Sequence, residues 1–263
     1  MLAIERRNKI LALLQKESRV VVSDLSKTFQ VTEETIRRDL EKLEKDGFAK
    51  KAYGGAIINE SVNSDLPFTV RKTANVVSKQ AIADIIAAMV EDGDHIMMDA
   101  SSTAVYIAKG LKHKKNLTII TNSVEILVEL SDVAGWKVLS TGGMMKEGAL
   151  SLVGPQAEKM IQCYHVDKVI VSCKGLDIEK GITDSNDMEA QIKKLMIGCG
   201  RMKILAADSS KFDRISFTKI CDLPDIDLIV TDEEPNPKWS STLGSMKVEL
   251  YNTVMMARVF NME

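Results

Sequence analysis

The spacing of hydrophobic residues predicts three short helices within the first fifty residues. Apolar residues fall on one side of the stretch from about Ala3 to Lys16, as they do on an amphipathic helix. After a short break, Ser23 is the expected N-cap of a second helix that ends near Phe29. The third helix follows its N-cap Thr32, and its buried stripe holds the residues at i, i+4 and i+7: Ile36, Leu40 and Leu43. Three helices with a tight turn between the last two are the helix-turn-helix arrangement.

The third predicted helix carries a pair of arginines on its exposed side. Glu33 and Glu34 occupy its first turn, where the helix macrodipole favours anions, and Gly47 is expected to end it. Arg37 and Arg38 lie near the N-terminal end of the exposed surface, from which a recognition helix reaches bases and phosphates in the major groove. Taken alone, the pair is better explained as an ordinary solvated helix face.

A basic hairpin follows this helix and changes that interpretation. The segment from Phe48 to Ile58 has two short extended runs joined at Gly54-Gly55, which predicts a β-wing. Lys50 and Lys51 are placed to contact phosphates beside the groove, which adds affinity but no sequence choice. Helix, turn, basic helix and basic wing in this order predict a DNA-binding domain in residues 1–58.

The pattern changes to alternating strands and helices in the rest of the chain. Residues 59–73 are expected to form a linker, because the stretch before Pro67 is polar and weakly patterned. A helix is predicted from about Ala74 to Val90. Six apolar, β-rich runs follow, with helices between most of them: His95–Met98, Leu117–Ile120, Trp136–Leu139, Val166–Val171, Lys203–Ala206 and Asp227–Val230. Residues 74–263 are therefore predicted to form an α/β domain of Rossmann-like type, with a mainly parallel sheet between helices.

Small, hydroxylated and charged residues recur where these strands end. The carboxyl-end loops of an open parallel sheet converge on the crevice where ligands bind. Ser101-Ser102-Thr103 directly precedes a helix, so its N–H groups and hydroxyls suit an anion, most simply a phosphate. Lys211 adds a positive charge, while Asp99 and Asp208 suit the hydroxyl groups of a sugar. Each loop alone is an ordinary turn, and only their recurrence predicts a site.

Composition and charge add little to this picture but exclude some alternatives. The formal net charge is -2, yet residues 1–58 hold 12 Lys and Arg against 9 Asp and Glu, and the remainder holds 23 against 28. Residues 1–58 therefore carry a small excess of positive charge, as expected for a domain that binds nucleic acid. The cysteines and histidines lack metal-binding spacing, so we expect reduced core thiols and no metal or disulfide at Cys163, Cys173, Cys199 and Cys221. Since the chain has no membrane-length apolar run and no signal-peptide pattern, we expect a cytoplasmic protein with no membrane partner.

Several motifs in the first sixty residues occur together in a known family. They are Glu5-Arg6 followed by Ile10–Leu14, the run Val31–Glu44 (V-T-E-E-T-I-R-R-D-L-E-K-L-E), and Gly54-Gly55-Ala56. In this combination they resemble the N-terminal domain of the DeoR family of bacterial transcriptional regulators. The resemblance implies a winged helix-turn-helix that binds double-stranded operator DNA. The residues expected at the DNA interface are Thr32, Glu34, Thr35, Arg37, Arg38, Lys50 and Lys51.

Motifs of the second domain extend the resemblance over nearly the whole chain, weakening after about Asp232. They are Asp99–Thr103, Thr121–Ser123, Gly142-Gly143, Glu189–Lys193 and Asp208–Lys211. The corresponding family domain is similar to ribose-5-phosphate isomerase, which implies a phosphorylated sugar as effector. The expected effector site comprises Asp99, Ser101, Ser102, Thr103, Thr121, Asn122, Gly142, Gly143, Lys174, Gly175, Glu189, Lys193, Asp208 and Lys211.

Some positions of the second domain leave two interpretations open. Ser101 replaces a glycine of the family pattern, and the residues from Ser172 to Gly175 replace Gly-Ala-Asp-Gly. One interpretation of Lys174 is that it changes the electrostatic field at the edge of the pocket in favour of a more anionic ligand. The other is that it faces solvent. Glu189 and Lys193 either belong to the site or form a surface i,i+4 pair.

The pattern as a whole predicts a transcriptional regulator, more simply a repressor, of carbohydrate-metabolism genes that responds to a sugar phosphate. Related isomerases use acidic residues in the loop that reads Lys-Gly-Leu-Asp here (174–177), so we expect no catalytic residues, no cofactor and no enzymatic activity. One alternative is an active sugar-phosphate isomerase with Asp177 or Glu189 as base. Another is a DNA-binding protein whose second domain only oligomerises.

Two expectations concern assembly and the end of the chain. Operator symmetry implies a homodimer or a larger homo-oligomer. The tail from Trp239 to Glu263 either caps the sheet or joins subunits, and its apolar residues include Met255, Met256, Val259 and Phe260.

Overall fold

The computed structural model describes residues 1–58 and 66–253. The chain divides into two compact units, Met1–Ala74 and Asn75–Glu263. Each unit has a hydrophobic core of its own. No helix of the described residues is both long enough and apolar enough to cross a membrane.

The first unit combines helices with a small antiparallel sheet. Its helices are α1 (Ala3–Glu17), α2 (Val22–Phe29), α3 (Glu33–Lys45) and α4 (Phe68–Thr73), and its strands are β1 (Arg19–Val21), β2 (Ala49–Ala52) and β3 (Gly55–Ile58). Strand β3 lies between β1 and β2 and runs antiparallel to both. The predicted helix-turn-helix and the predicted wing are therefore present, and β1 adds a third strand to the wing.

Local sequence signals set the ends of α3 but not those of α2. The Thr32 hydroxyl accepts a hydrogen bond from the Thr35 amide, and Gly47 follows the helix with a φ of 82°. The prediction that Ser23 caps α2 was wrong. The N-cap is Val21, because β1 stays paired with β3 up to that residue and the helix begins at once.

The expected linker 59–73 is too long at its C-terminal end. Its last six residues form α4, and Val70 of α4 is buried in the core of the first unit. Asn8 on α1 donates a hydrogen bond from its Nδ2 to the Thr69 hydroxyl over 3.2 Å. The apolar residues of one short helix are too few to show a period in the sequence, so only their packing reveals it.

The second unit is built on a seven-stranded parallel sheet. The strands of this sheet are β4 (His95–Met98), β5 (Thr118–Thr121), β6 (Lys137–Ser140), β9 (Val166–Val171), β12 (Gly200–Ala206), β14 (Leu228–Val230) and β15 (Glu249–Tyr251). The helices are α5 (Val76–Met89), α6 (Ser102–Gly110), α7 (Val124–Glu129), α8 (Pro155–Ile161), α9 (Asp187–Cys199) and α10 (Pro237–Met246). The predicted Rossmann-like α/β class is confirmed, and the six predicted strands coincide closely with six of the seven.

Two smaller antiparallel sheets accompany the main one and were not predicted. They are the hairpin of β7 (Met144–Lys146) and β8 (Ser151–Val153), and the sheet of β10 (Gly175–Asp177), β11 (Gly181–Asp184) and β13 (Thr218–Cys221). These strands have three or four residues each and no long apolar run. A short strand of mixed polarity cannot be told from a turn by its pattern.

The order of the strands creates a switch point in the main sheet. From edge to edge the order is β15-β14-β12-β9-β4-β5-β6. The chain therefore builds outward from β4 through β5 and β6 on one side, and then from β9 through β12, β14 and β15 on the other. In a parallel sheet the loops diverge at such a point and leave a crevice at the carboxyl ends of the two central strands.

The described part of the tail completes the sheet. Trp239 on α10 is buried and packs edge-on against Phe212 with ring centroids 5.0 Å apart, and β15 pairs parallel with β14. Met255, Met256, Val259 and Phe260 lie outside the described residues.

The expectation of four core thiols holds for two of them. Cys173 and Cys221 are buried, whereas Cys163 is exposed and Cys199 half-buried, and all four are free.

Candidate nucleic-acid interface and ligand crevice

The exposed face of α3 presents the two arginines, each held by a carboxylate one turn earlier. Arg37 lies 2.7 Å from Glu33 and Arg38 lies 3.4 Å from Glu34, in i,i+4 ion pairs that are half exposed or more. Such pairs contribute only about 0.3–0.5 kcal/mol, so the guanidinium groups can leave them for DNA at little cost. Beside them, the hydroxyls of Thr32 and Thr35 lie 2.9 Å apart at the start of the helix.

A buried ion pair fixes α3 from behind. Asp39 is 3% exposed, although it stands next to Arg38 in the sequence. The Nε of Arg6 on α1 donates to its Oδ2 over 2.5 Å, and Arg7 lies 3.5 Å from its Oδ1. Asp39 falls three residues after Ile36, on the buried stripe of α3. A charged residue at a buried position needs a partner, so the sequence pattern already indicated one for Asp39.

The two wing lysines are not equivalent. Lys51 is tied to α3, because its amide donates to Glu44 Oε1 over 2.9 Å and its ammonium donates to Glu41 over 3.0 Å. The hydrogen bond that Lys51 donates to Glu41 raises the pKa of Lys51. Lys50 is exposed and forms no ion pair within the described residues, so its charge is the one more open to a phosphate.

In the second unit, Asp99 joins the two strands of the switch point. Its Oδ1 accepts from the Ser101 amide over 3.0 Å, and its Oδ2 accepts from the Ser172 amide over 2.9 Å. Asp99 follows β4 and Ser172 follows β9, so the carboxylate connects the loops on both sides of the crevice. Because backbone amides from both loops donate to its two oxygens, Asp99 fixes the shape of the crevice at this point.

The N-terminus of α6 offers unused polar groups. The Ser101 hydroxyl caps the helix by accepting from the Ala104 amide over 3.0 Å. Ser102 and Thr103 are buried, and within the described residues their hydroxyls form no hydrogen bond. With the free N–H groups of the first turn, they can hold an anion.

The loop after β5 contributes an unsatisfied acceptor. The Thr121 hydroxyl accepts from the Ser123 amide, which shapes the turn. Asn122 is 2% exposed and donates from Nδ2 to the Leu152 carbonyl over 3.0 Å, which fixes the orientation of its amide. Its Oδ1 has no hydrogen-bond partner within the described residues. A ligand hydroxyl or N–H group would satisfy it.

A buried ion cluster lies beside Asp99. The Lys193 ammonium is 2.5 Å from Asp184 Oδ2 and 3.4 Å from Asp99 Oδ2. Burial lowers the pKa of Lys193, but Asp184, Asp99 and Glu189 outweigh burial and raise it. In the same way burial raises the pKa of Asp184, and the charges of Lys193 and Lys174 lower it further than burial raises it.

The structure corrects the surface-pair interpretation of Glu189 and Lys193. Both residues are buried, and each has its main partner elsewhere. Glu189 accepts at Oε1 from the Ser151 hydroxyl over 2.9 Å, and its Oε2 lies 3.6 Å from the Lys146 ammonium on the β7–β8 hairpin. The pair lies on the same face of α9 as Ala190 and Met196, and that periodicity already indicated burial.

Of the remaining predicted residues, Lys174 contributes charge, whereas the glycines contribute to the shape of the backbone. Lys174 is half-buried and its charge acts on Asp184, which supports the pocket-edge interpretation. Gly142 and Gly143 have φ values of 64° and 105° at the bend before β7. A Cβ at Gly175 would meet the Arg214 carbonyl oxygen at 2.4 Å. Gly143 and Gly175 therefore allow close approach of neighbouring backbone, whereas Gly142 allows only the left-handed bend.

A second charged cluster follows β12. Asp208 is 3% exposed, accepts from the Ser210 amide over 3.1 Å and from the Ser210 hydroxyl, and lies 3.9 Å from the Lys211 ammonium. Burial raises the pKa of Asp208, but Lys211, the Ser210 hydrogen bonds and the buried Lys79 together lower it.

One residue, Cys173 after β9, lies near both clusters. Burial raises the pKa of its thiol to about 12, and the charges of Lys193 and Lys211 act against that rise. The thiol is therefore neutral and inert at ordinary pH. The positive charges of both clusters thus act on this thiol, which follows β9.

The sequence missed several residues that complete these clusters. They are Lys79, Lys146, Ser151 and Asp184. Only Lys79 had a signal, because it falls three residues before Ile82 on the apolar stripe of α5. No group of metal-binding side chains occurs in the part of the chain that the structure describes.

Comparison with known proteins gives matches for both units. The model of the DeoR-like helix-turn-helix domain matches residues 6–62, and that of the DeoR C-terminal sensor domain matches residues 74–233. The HTH-type transcriptional regulator YulB of Bacillus subtilis is 44% identical over 95% of this chain and 96% of its own. The transcriptional repressor AccR of Agrobacterium fabrum is 35% identical over 87% and 89%. A putative aga operon transcriptional repressor of Escherichia coli O157:H7 is 33% identical over 87% and 86%.

Among solved structures, ribose 5-phosphate isomerase A of Neisseria gonorrhoeae aligns with 51% of this chain and 52% of its own. The identity is 14% and the TM-score 0.38. A likeness at this level says nothing about function.

Proposed function

We propose that this chain, which belongs to the DeoR family of transcriptional regulators, represses genes of carbohydrate metabolism. In this proposal a phosphorylated sugar controls the repression. The observation that carries this function is the presence of both parts in one chain, a helix-turn-helix at 6–62 and a sensor domain at 74–233. Two relatives named as repressors, AccR and the aga operon repressor, support the direction of the regulation.

The geometry of the crevice supports a phosphorylated and hydroxylated ligand. The first turn of α6, with the unused hydroxyls of Ser102 and Thr103, suits the phosphate. Lys174 and Lys211 add positive charge at the edge of the crevice. Asn122 Oδ1 requires a hydrogen-bond donor, which a sugar hydroxyl supplies.

The same geometry supports binding without turnover. A general base must have a free oxygen within reach of the proton that it removes. Asp99 and Asp184 are engaged with Lys193, and Glu189 is engaged with Ser151 and Lys146. Asp177 accepts from two amides of the turn that follows it, both at Oδ1, so within the described residues its Oδ2 is left open and Asp177 is the remaining candidate base. We therefore propose that ligand binding in the crevice changes DNA binding and that the ligand is not isomerised.

The test of this function uses three sugar phosphates: glucose 6-phosphate, fructose 6-phosphate and ribose 5-phosphate. We expect at least one to raise Tm and to change the affinity for a DNA duplex that the protein selects from a random-sequence pool. At a hundred times Kd the ligand would add about 2.7 kcal/mol to the free energy of unfolding. The unphosphorylated sugars are the controls.

Two other outcomes would favour the other classes of protein. Isomerised product with no change in DNA affinity would identify an enzyme and overturn the sensor function. The absence of thermal stabilisation by every sugar phosphate would favour a second unit that only oligomerises.

The proposed DNA contacts predict different effects for a helix residue and a wing residue. Arg38→Ala is expected to weaken binding of the selected duplex by about 1–3 kcal/mol and to relax specificity at one position, as for an arginine that reads guanine. Lys50→Ala is expected to reduce the slope of log K against log salt by about 1, because it removes one phosphate contact. Titrations at several salt concentrations measure both.

Lys42→Ala is the matched control for these variants. Lys42 is on the last turns of α3, where it pairs with Asp46 at 2.8 Å, away from the N-terminal end of the helix. Its loss should leave specific binding unchanged. Normal binding by both Arg38→Ala and Lys50→Ala would refute the interface.

A further inference from the structure

The chain passes from the first unit to the second with no spacer. Helix α4 ends at Thr73, Ala74 is its C-cap, and Asn75 holds the N-cap position of α5. The two units meet in the sequence at the bond between Ala74 and Asn75. The backbone dihedral angles of these two residues therefore set the direction in which the chain enters α5.

Asn75 does not behave as an N-cap residue normally does. N-cap residues have an extended backbone, and their side chains accept from an amide of the first turn. Asn75 has φ 49° and ψ 43°, in the left-handed region, and its side chain makes no cap hydrogen bond. Its Nδ2 instead donates to Oδ1 of Asp208 over 3.4 Å, a residue 133 positions further along the chain.

Besides the Ser210 hydrogen bonds and the charge of Lys79, Asp208 has two partners on different sides. On one side it lies 3.9 Å from the Lys211 ammonium, whose side chain is 27% exposed and can be reached by a ligand of the crevice. On the other side it accepts from Asn75, at the start of the unit. Its own side chain is 3% exposed, so a change in one partner acts on the other through a carboxylate that water does not screen.

We propose that Asn75 and Asp208 form the relay by which occupancy of the crevice changes the backbone between the two units. An anionic group at Lys211 competes with Asp208 for the ammonium and repels the Asp208 carboxylate. The Asp208–Asn75 hydrogen bond then weakens, and the left-handed conformation of Asn75 loses the contact that holds it. This inference rests on the proposed function, since it assigns the route out of that same crevice.

The relay requires that DNA-competent and DNA-incompetent arrangements differ at Asn75. A ligand shifts such an equilibrium only through its different affinity for the two arrangements. Breaking the link between Asp208 and Asn75 should therefore remove the coupling and leave ligand binding and DNA binding in place, each with its own contacts.

Asn75→Gly is the variant that isolates the side-chain contact. Glycine adopts the left-handed conformation freely, so the substitution removes the amide without forcing the backbone out of its native angles. Asn116→Gly is the matched control. Asn116 is also left-handed, with φ 57°, lies in the same unit, is exposed, and has no contact with Asp208.

The experiment measures Tm and the Kd for the selected duplex, with and without the sugar phosphate of the panel that raises the wild-type Tm. Inorganic phosphate is tested in parallel as an anion without a sugar. Wild type and Asn116→Gly should show a change in DNA affinity in the usual range of about 5–150-fold. Asn75→Gly should keep the same rise in Tm and show the same DNA affinity with and without the sugar phosphate.

The outcomes separate the relay from the proposed function. If wild type responds and Asn75→Gly responds equally, the relay is wrong and the sensor function stands. If Asn75→Gly loses the rise in Tm, Asn75 belongs to the binding site and the relay is also wrong. If no sugar phosphate affects the wild type, the sensor function fails and the relay fails with it.

Discussion

Lys193 is a buried cation between two buried carboxylates of the second unit. Its ammonium balances Asp184 and Asp99, which are both buried. Burying charges is costly, and removing one partner of a buried pair leaves the other uncompensated, which typically costs about 3–5 kcal/mol.

We predict a loss of this size for Lys193→Met, measured as the free energy of urea unfolding at pH 7. Methionine keeps most of the volume but leaves two buried carboxylates without their cation. Lys194→Met is the matched control, because Lys194 is the exposed neighbour on the same helix and its loss should change stability little. Equal stability of the two variants would show that the cluster contributes nothing.

The pH dependence of this effect has a definite sign. The pKa of Asp184 is lowered in the folded protein, so its contribution to stability is present above the unfolded pKa of about 3.9 and is lost as the pH falls through the folded pKa. We therefore predict that the difference between wild type and Lys193→Met is large at neutral pH and shrinks under acid conditions below about pH 4. Unfolding curves across that range measure it, and a constant difference would contradict the assignment.

Single residues differ in how far the sequence predicts them. Thr32 and Gly47 act on their own helix, so the sequence around them contains the whole signal. Asp184 and Lys193 find one of their partners in Asp99, which a separate strand brings to them. The sequence shows the residue types but not the distances between the residues. It was therefore consistent with both a buried and a surface position of Lys193.

At the scale of elements, the packing of α3 on α1 combines an apolar core with ionic contacts from Arg6 and Arg7 to Asp39. Ile10, Leu14, Ile36 and Leu40 supply the apolar part, and Arg6 with Asp39 supplies the ionic part. Apolar surfaces allow small shifts along one another, whereas a buried ion pair has a fixed geometry. The contact thus sets the rotation of the face that carries Arg37 and Arg38.

We predict that Asp39→Ala destabilises the first unit by about 3–5 kcal/mol, because it leaves the Arg6 guanidinium buried without its carboxylate. The double variant Arg6→Met/Asp39→Leu should be more stable than the single one, since no buried charge remains. Glu41→Ala is the control on the same helix, since its ion pair with Lys51 is half exposed. If the double variant were the less stable, the interpretation of the pair as a geometric constraint with little net stabilisation would be wrong.

The elements of the main sheet were predictable because parallel strands buried on both faces give continuous apolar runs. Met97, Val169 and Leu205 lie in such runs, and all three are fully buried. The β7–β8 hairpin and the β10–β11–β13 sheet lack such runs, although they carry Lys146, Ser151 and Asp184. The residues that the sequence missed in the crevice thus come mainly from the elements that it missed.

At the scale of the whole molecule, two separate cores predict two unfolding events. The core around Ile36 and the core around Val169 share no residue. We predict two transitions in calorimetry, with Asp39→Ala lowering one and Lys193→Met lowering the other. A single transition that both variants lower would show that the units unfold together.

The family and the division of labour between the units were predictable from motifs, while the connection between them was not. The motifs contain the residues that we propose contact DNA or the ligand, such as Arg38 and Thr103. Asn75 is in neither set, and α4 has too few residues to show a period. The relay that we propose depends on the contact between Asn75 and Asp208, which are 133 positions apart in the sequence and meet only in the folded protein.

The glutamates that accompany the arginines of α3 have a consequence for how the protein finds its operator. Glu33 and Glu34 pair with Arg37 and Arg38, so the part of α3 that we propose reads DNA has little net charge of its own. A weak non-specific affinity for DNA shortens the time that the protein remains bound to the many other sites of a genome. On the proposed interface, an operator would then compete with fewer occupied sites elsewhere in the genome.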